Sequence, residues 1–238
     1  MSRFRLRGLI AATFTPFEPD GALNLRQIKP MIDAVIAQGA NGLYVCGSTG
    51  EGPLLSTAER LRVAEASVQA AAGRVPVVIQ VGHNSIEEAR GMAIHAQHIG
   101  ADAISATPPG YFKPDSLDNF IRCIAHIAGG APRLPFYYYH IPVLSGVRLD
   151  MVEFLRQGGP CIPSLRGIKF SDALLYEMLA CIEFDGGNEM RWKSDTDHPA
   201  LHLLKRVVAE EDGRVFRATC PDLGSTHGPW GYDLWTYG

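Results

Sequence analysis

The sequence predicts an α/β fold in which crossover helices connect the strands of a parallel sheet. Three observations support that prediction. Six strand-then-helix patterns follow one another in regular succession from the N-terminus. The strand segments are almost continuously apolar, as strands buried on both faces are. The polar and reactive residues fall at strand C-terminal ends, where barrel active sites are built. A (β/α) barrel and an open doubly wound sheet both satisfy the regular alternation. No G-x-G-x-x-G follows the first strand, which counts against a dinucleotide-binding sheet.

Residues 8–17 are apolar and threonine-containing and read as the first strand. Asn24 is placed to cap the next helix, whose Ile28, Ile32, Val35 and Ile36 share one face, and Gly39 ends it. Residues 41–46 form the second strand. Ser56 with Glu59 three positions later is a capping box that opens a helix running to residue 72. The Val/Ile-rich residues 75–81 make the third strand, residues 85–99 a helix closed by Gly100, and residues 101–106 the fourth strand. A helix over 116–128, a strand over 134–141 and a short helix over 150–157 follow. A strand around Lys169 and a helix over 174–184 complete the sixth unit.

With 238 residues, 46% hydrophobic and 20% charged, the chain has a soluble globular composition and can bury one large core. A net charge of -3 gives no reason to expect nucleic acid or an acidic membrane surface as partner. No apolar run reaches membrane-spanning length. The basic start with Arg3, Arg5 and Arg7 is not followed by a signal-peptide core. Five scattered cysteines without a C-x-x-C fit a reduced, cytoplasmic setting better than a disulfide framework.

Lys169 is the most informative residue. It lies between Ile168 and Phe170 in a strand that reads as buried, and a buried ammonium is costly unless paired or neutral. A neutral lysine amine is the group that attacks a carbonyl to form a Schiff base. A strand-end lysine can also snorkel to water. Gly47-Ser48-Thr49-Gly50-Glu51-Gly52 follows the second strand and can turn backbone N–H groups toward a carboxylate or phosphate; an ordinary glycine-rich turn is the plainer reading. Along Phe136-Tyr137-Tyr138-Tyr139-His140, strand alternation puts Tyr137 and Tyr139 on one face and Tyr138 on the other. A strand-end tyrosine can relay protons, or it can simply pack. His140 reads as a structural histidine rather than a base. Tyr111 stands in a proline-rich loop after the fourth strand. His95 and His98 share a helix at i, i+3 but lack the other members of a metal motif, so no metal site is expected.

Taken together, Thr13-Phe14-Thr15-Pro16-Phe17, the Gly47–Gly52 turn, Tyr139-His140-Ile141-Pro142 with Ser145-Gly146-Val147, and Gly167-Ile168-Lys169-Phe170-Ser171-Asp172 resemble the N-acetylneuraminate lyase and dihydrodipicolinate synthase superfamily of class I aldolases. The resemblance runs from residue 7 to residue 195. It implies a (β/α)8 TIM barrel, a homotetramer, and a small keto acid substrate. It implies that Lys169 forms the Schiff base, that Tyr139 shuttles the proton, and that Ser48 and Thr49 hold the pyruvate carboxylate, with Ser48 linked to Tyr139. Tyr111 matches a loop tyrosine that reaches a neighbouring subunit's site. Ser171 and Asp195 match positions that contact the sugar chain. No cofactor is implied, because the lysine imine is the electron sink.

The branch can be argued from three positions. The synthases carry an arginine two residues after the proline of Tyr-x-x-Pro, and Leu144 stands there; the triple tyrosine, His140 and Phe170-Ser171-Asp172 look like the sialic acid lyases. The resemblance ends near Asp195. Thr196 replaces a glutamate and Lys193 a glycine of the lyases. Residues 1–195 are therefore expected to form the barrel through its seventh strand, and residues 196–238 an atypical tail that leaves the barrel incomplete.

Overall fold

The computed structural model describes Leu6, residues 8–184 and the backbone of Leu234–Trp235. Six parallel strands lie side by side in chain order: β1 (Ile10–Ala12), β2 (Gly42–Val45), β3 (Val77–Gln80), β4 (Ala103–Ala106), β5 (Phe136–His140) and β6 (Leu165–Phe170). Every neighbouring pair from β1·β2 to β5·β6 is parallel, so each helix returns the chain to the next position in the same sense. An open doubly wound sheet would reverse its strand order at a switch point. The described residues have none, and their fold is a partial (β/α)8 barrel. A short β7 (Leu234–Trp235) runs antiparallel to β6, pairing Lys169 with Trp235 and Phe170 with Leu234.

The helices are α1 (Ile28–Ala37), α2 (Thr57–Ala71), α3 (Ile86–His98), α4 (Leu117–Ala128), α5 (Pro142–Ser145), α6 (Met151–Cys161) and α7 (Leu175–Glu183). Side-chain caps start four of them. Ser56 and Glu59 form the expected capping box on α2, while Ser85, Ser116 and Asp150 accept from the third backbone N–H of α3, α4 and α6. Each such cap stabilises by about 1 kcal/mol. Asn24 does not cap. It precedes a single 3-10 turn, Leu25–Gln27, that enters α1 without a side-chain bond. The first strand is also shorter than its apolar run. Thr13 still donates to the Tyr44 carbonyl at 3.1 Å, but Thr15 turns away and its hydroxyl donates to the Gly50 carbonyl at 2.6 Å. Helix α6 outlasts its prediction by passing through Gly158-Gly159-Pro160. Gly158 lies so close to the Phe154 ring that an added Cβ would meet it at 3.1 Å, so glycine serves packing there rather than termination.

The core divides in two. The larger cluster lies between sheet and helices and includes Ile32, Val45, Ile79, Ile104, Phe120, Tyr138 and Phe154. The smaller one fills the inner face of the sheet with Leu6, Ile10, Tyr44, Val78, Ala103, Tyr137, Tyr139 and Ile141. Alternation along β5 therefore works as expected: Tyr138 packs edge-on against Phe120, while Tyr137 and Tyr139 face inward. Among the described residues, no helix is long and apolar enough to cross a membrane.

Candidate active site

Strand register places Tyr139 of β5 directly beside Lys169 of β6. Parallel neighbours at one level point to the same face, so both side chains enter the barrel interior. Lys169 is fully buried, at 0% exposure. Its Nζ donates to the Ser171 hydroxyl at 3.2 Å and stands 3.7 Å from the centre of the Tyr139 ring. The Tyr139 hydroxyl is 3.4 Å from Ser48 Oγ, with either oxygen able to donate. The Lys169 amine, the Tyr139 phenol and the hydroxyls of Ser48 and Ser171 thus meet at the C-terminal ends of β2, β5 and β6.

The Gly47–Gly52 turn is held tightly. Gly52 N–H donates to the Gly47 carbonyl at 3.0 Å, and Cys46 and Glu51 on either side of the central residues have positive φ, at 59° and 55°. Non-glycine residues in that region are strained, so surrounding contacts must hold the turn. Gly52 must be glycine: a Cβ there would sit 1.9 Å from the Cys46 carbonyl oxygen. Thr15 fixes the Gly50 carbonyl, which gives the Thr13–Phe17 motif a role in shaping the turn. Ser48 and Thr49 are exposed at its tip.

Tyr111 stands apart from this group. It is 78% exposed, edge-on to Phe112 at 5.0 Å, and its loop is tied down by Asn84, whose Oδ1 accepts from the N–H of Gly110 and Tyr111. Asp195, Thr196 and Lys193 lie outside the described residues. Leu144, where a second-substrate arginine would stand in a synthase, is on α5 and 53% exposed.

His140 faces away from the amine. It is 2% exposed, with its ring 4.8 Å from that of Phe170 and Nε2 3.9 Å from Asp172 Oδ2. Burial pushes its pKa down to about 4; the Asp172 charge opposes this and the Arg148 charge adds to it. It is a neutral, structural histidine at neutral pH. Metal-ligand atoms of His140, Asp172 and Glu177 come within 4.8 Å of one another, yet Arg148 Nη1 already occupies Asp172 Oδ2 at 2.8 Å. His95 and His126 are engaged by Glu65 and Glu87, each at 2.8 Å.

Sequence reasoning passed over Tyr44 and Ser105. Both are buried on the inner face, and the Tyr44 hydroxyl donates to Ser105 Oγ at 3.1 Å. A tyrosine in an apolar strand reads as core; only the curvature of the sheet brings it near β6.

Residues 5–201 match the Dihydrodipicolinate synthetase family. The chain is 43% identical over 187 residues to N-acetylneuraminate lyase B of Xenopus laevis, covering 76% of this chain and 70% of that protein. Its structure resembles the N-acetylneuraminate lyase of Proteus mirabilis at TM-score 0.75 and 40% identity, over 77% of this chain and 62% of that one. The lyase of Aliivibrio salmonicida gives TM-score 0.75 and 39% identity, over 78% and 61%. The chain spans 61–70% of the length of the first three curated relatives it matches. The chain belongs to the dihydrodipicolinate synthetase family, on its N-acetylneuraminate lyase branch.

Proposed function

We propose that this chain carries the catalytic lysine barrel of a class I aldolase that cleaves a 2-keto-3-deoxy sugar acid, such as N-acetylneuraminate, to pyruvate and an aldehyde sugar, N-acetylmannosamine. The observation that carries the reading is the fully buried Lys169 amine set against Tyr139, with Ser48 Oγ 3.4 Å from the phenol. Neutral Lys169 attacks the keto carbon, water leaves, and a protonated imine forms. The C4 hydroxyl gives its proton to the Tyr139 oxygen as the C3–C4 bond breaks, while Tyr139 hands its own proton through Ser48 to the substrate carboxylate, and the same relay in reverse returns a proton to C3. The bonding electrons move into the imine and give an enamine. Protonation at C3 and hydrolysis release pyruvate and restore the lysine. Backbone N–H groups of the Gly47–Gly52 turn, with Ser48 and Thr49, bind the carboxylate. Ser171 and Asp195 contact the sugar chain.

Leu144 carries no charge for a second carboxylate, which favours cleavage over condensation with an amino-acid semialdehyde. The exposed Tyr111, Phe112, Val143 and Leu144 suit a homo-oligomer in which Tyr111 reaches a neighbouring subunit's site. A cytoplasmic setting fits the free thiols of Cys46, Cys123, Cys161 and Cys181. The test is pyruvate release from N-acetylneuraminate, coupled to oxidation of a nicotinamide cofactor by lactate dehydrogenase. Release that vanishes in Lys169→Ala supports the reading. Efficient condensation of pyruvate with aspartate semialdehyde and no sugar-acid cleavage would refute it.

A further inference from the structure

We infer that Tyr44 is a positioning residue that aligns the three working parts of this site, a reading that rests on the imine chemistry proposed above. Tyr44 sits on β2, almost completely buried at 1% exposure in the inner cluster. Its ring touches each part. The Lys169 Nζ lies 5.2 Å from the ring centre. The Tyr139 ring meets it edge-on, with centroids 5.7 Å apart at 85°. Gly47, at the head of the turn, lies so close that an added Cβ would fall 2.6 Å from Tyr44 Cε1. The ring is fixed from the far side by the hydroxyl bond to Ser105 on β4, which spans β3.

These contacts have a chemical consequence. The positive charge on Lys169 as an ammonium reappears on the same nitrogen in the protonated imine. Rings of Tyr44 and Tyr139 within 6 Å of that nitrogen attract the charge equally in both states, so the attraction fixes where the nitrogen sits rather than favouring either state. The Tyr44 ring also backs the turn that binds the carboxylate, so nitrogen and carboxylate sites are held at one separation. Tyr44 thereby acts on imine formation through the positions of Lys169 and Gly47. The hydroxyl serves to anchor the ring.

The experiment incubates the 238-residue chain with increasing pyruvate, reduces with borohydride, and measures the trapped fraction by intact mass. Tyr44→Leu and the flexible, gap-filling Tyr44→Met should raise the pyruvate concentration for half-trapping about tenfold. Tyr44→Phe keeps the ring and should shift it by less than threefold. Ser105→Ala should match Tyr44→Phe, and the double variant should be no worse than either, because both remove one bond. Circular dichroism melts run alongside. Half-trapping within twofold of the unsubstituted chain in both ring-less variants overturns the inference. So does Tyr44→Phe as damaging as Tyr44→Met. If neither ring-less variant folds while Tyr44→Phe does, Tyr44 is a packing residue and the inference is wrong. If the unsubstituted chain itself traps no pyruvate on Lys169, the imine reading falls and takes this inference with it.

Discussion

Tyr138 and Tyr139 are adjacent in sequence and opposite in consequence. Tyr139 faces the amine; Tyr138 is buried among Phe120 and Phe154, and among the described residues its hydroxyl has no hydrogen-bond partner. Desolvation pushes the Tyr138 pKa well above the usual phenol range. Removing an unsatisfied buried hydroxyl is neutral or stabilising. We expect Tyr138→Phe to keep full turnover and to melt at the same or a higher temperature. Tyr139→Phe should still form the imine while slowing cleavage by roughly 100-fold or more. Near-normal turnover in Tyr139→Phe would make that residue packing only. His140 supplies a pH test. Its folded pKa is lowered from 6.5 to about 4. Below pH 6.5 the unfolded histidine binds a proton that the folded one refuses until about pH 4. Stability therefore falls as pH drops through that window, by about 3 kcal/mol for this group, and is restored above it. Urea melts at pH 4.5 and 7 should show a smaller difference in His140→Asn than in the unsubstituted chain. An unchanged difference would mean that His140 is charged at neutral pH or does not titrate in this window.

At the scale of elements, α2 ties down the end of β3, and Thr15 after β1 ties down the Gly47–Gly52 turn. Buried Arg60 reaches from α2 to the end of β3, donating to the carbonyls of Gly82 at 2.8 Å and Gln80 at 2.6 Å. Desolvation lowers its pKa, and the backbone oxygens it serves have few alternatives. Arg60→Leu should cost about 3 kcal/mol in urea denaturation; a cost below about 1 kcal/mol would show that water replaces the guanidinium. Most elements were legible from local rules. Alternating helix and strand patterns located β2 to β6, and Ser56-x-x-Glu59 located the start of α2 correctly. Lys169 was legible because a lysine between Ile168 and Phe170 conflicts with burial. Other features depend on distant contacts. Asn24 carries a good cap residue's chemistry, but the chain takes a 3-10 turn there. β1 stops early because Thr15 is drawn to Gly50, 35 residues away. Tyr44 looked like any apolar-strand aromatic, since its nearness to Lys169 exists only once β2 and β6 curve toward one interior.

For the whole molecule, closure of a (β/α)8 barrel needs eight strands with consistent tilt. The described residues supply six parallel ones, and among them β1 pairs only with β2. Beside that edge lies an open groove lined by Phe14, Phe17, Met31 and Val35. We expect a chain extended by a family-like eighth β-α unit and C-terminal helices to melt higher and release pyruvate faster than the 238 residues alone. Equal melting and equal turnover would mean that residues 185–238 already complete the barrel. Whatever completes it, the proposed chemistry rests on one nitrogen. The most direct measurement is borohydride reduction in the presence of pyruvate, followed by digestion and mass mapping. Pyruvate should add to the peptide that contains Lys169, and the addition should disappear in Lys169→Ala and in Lys169→Arg, whose guanidinium stays charged. Addition at another lysine, or addition that persists in Lys169→Ala, would contradict the account.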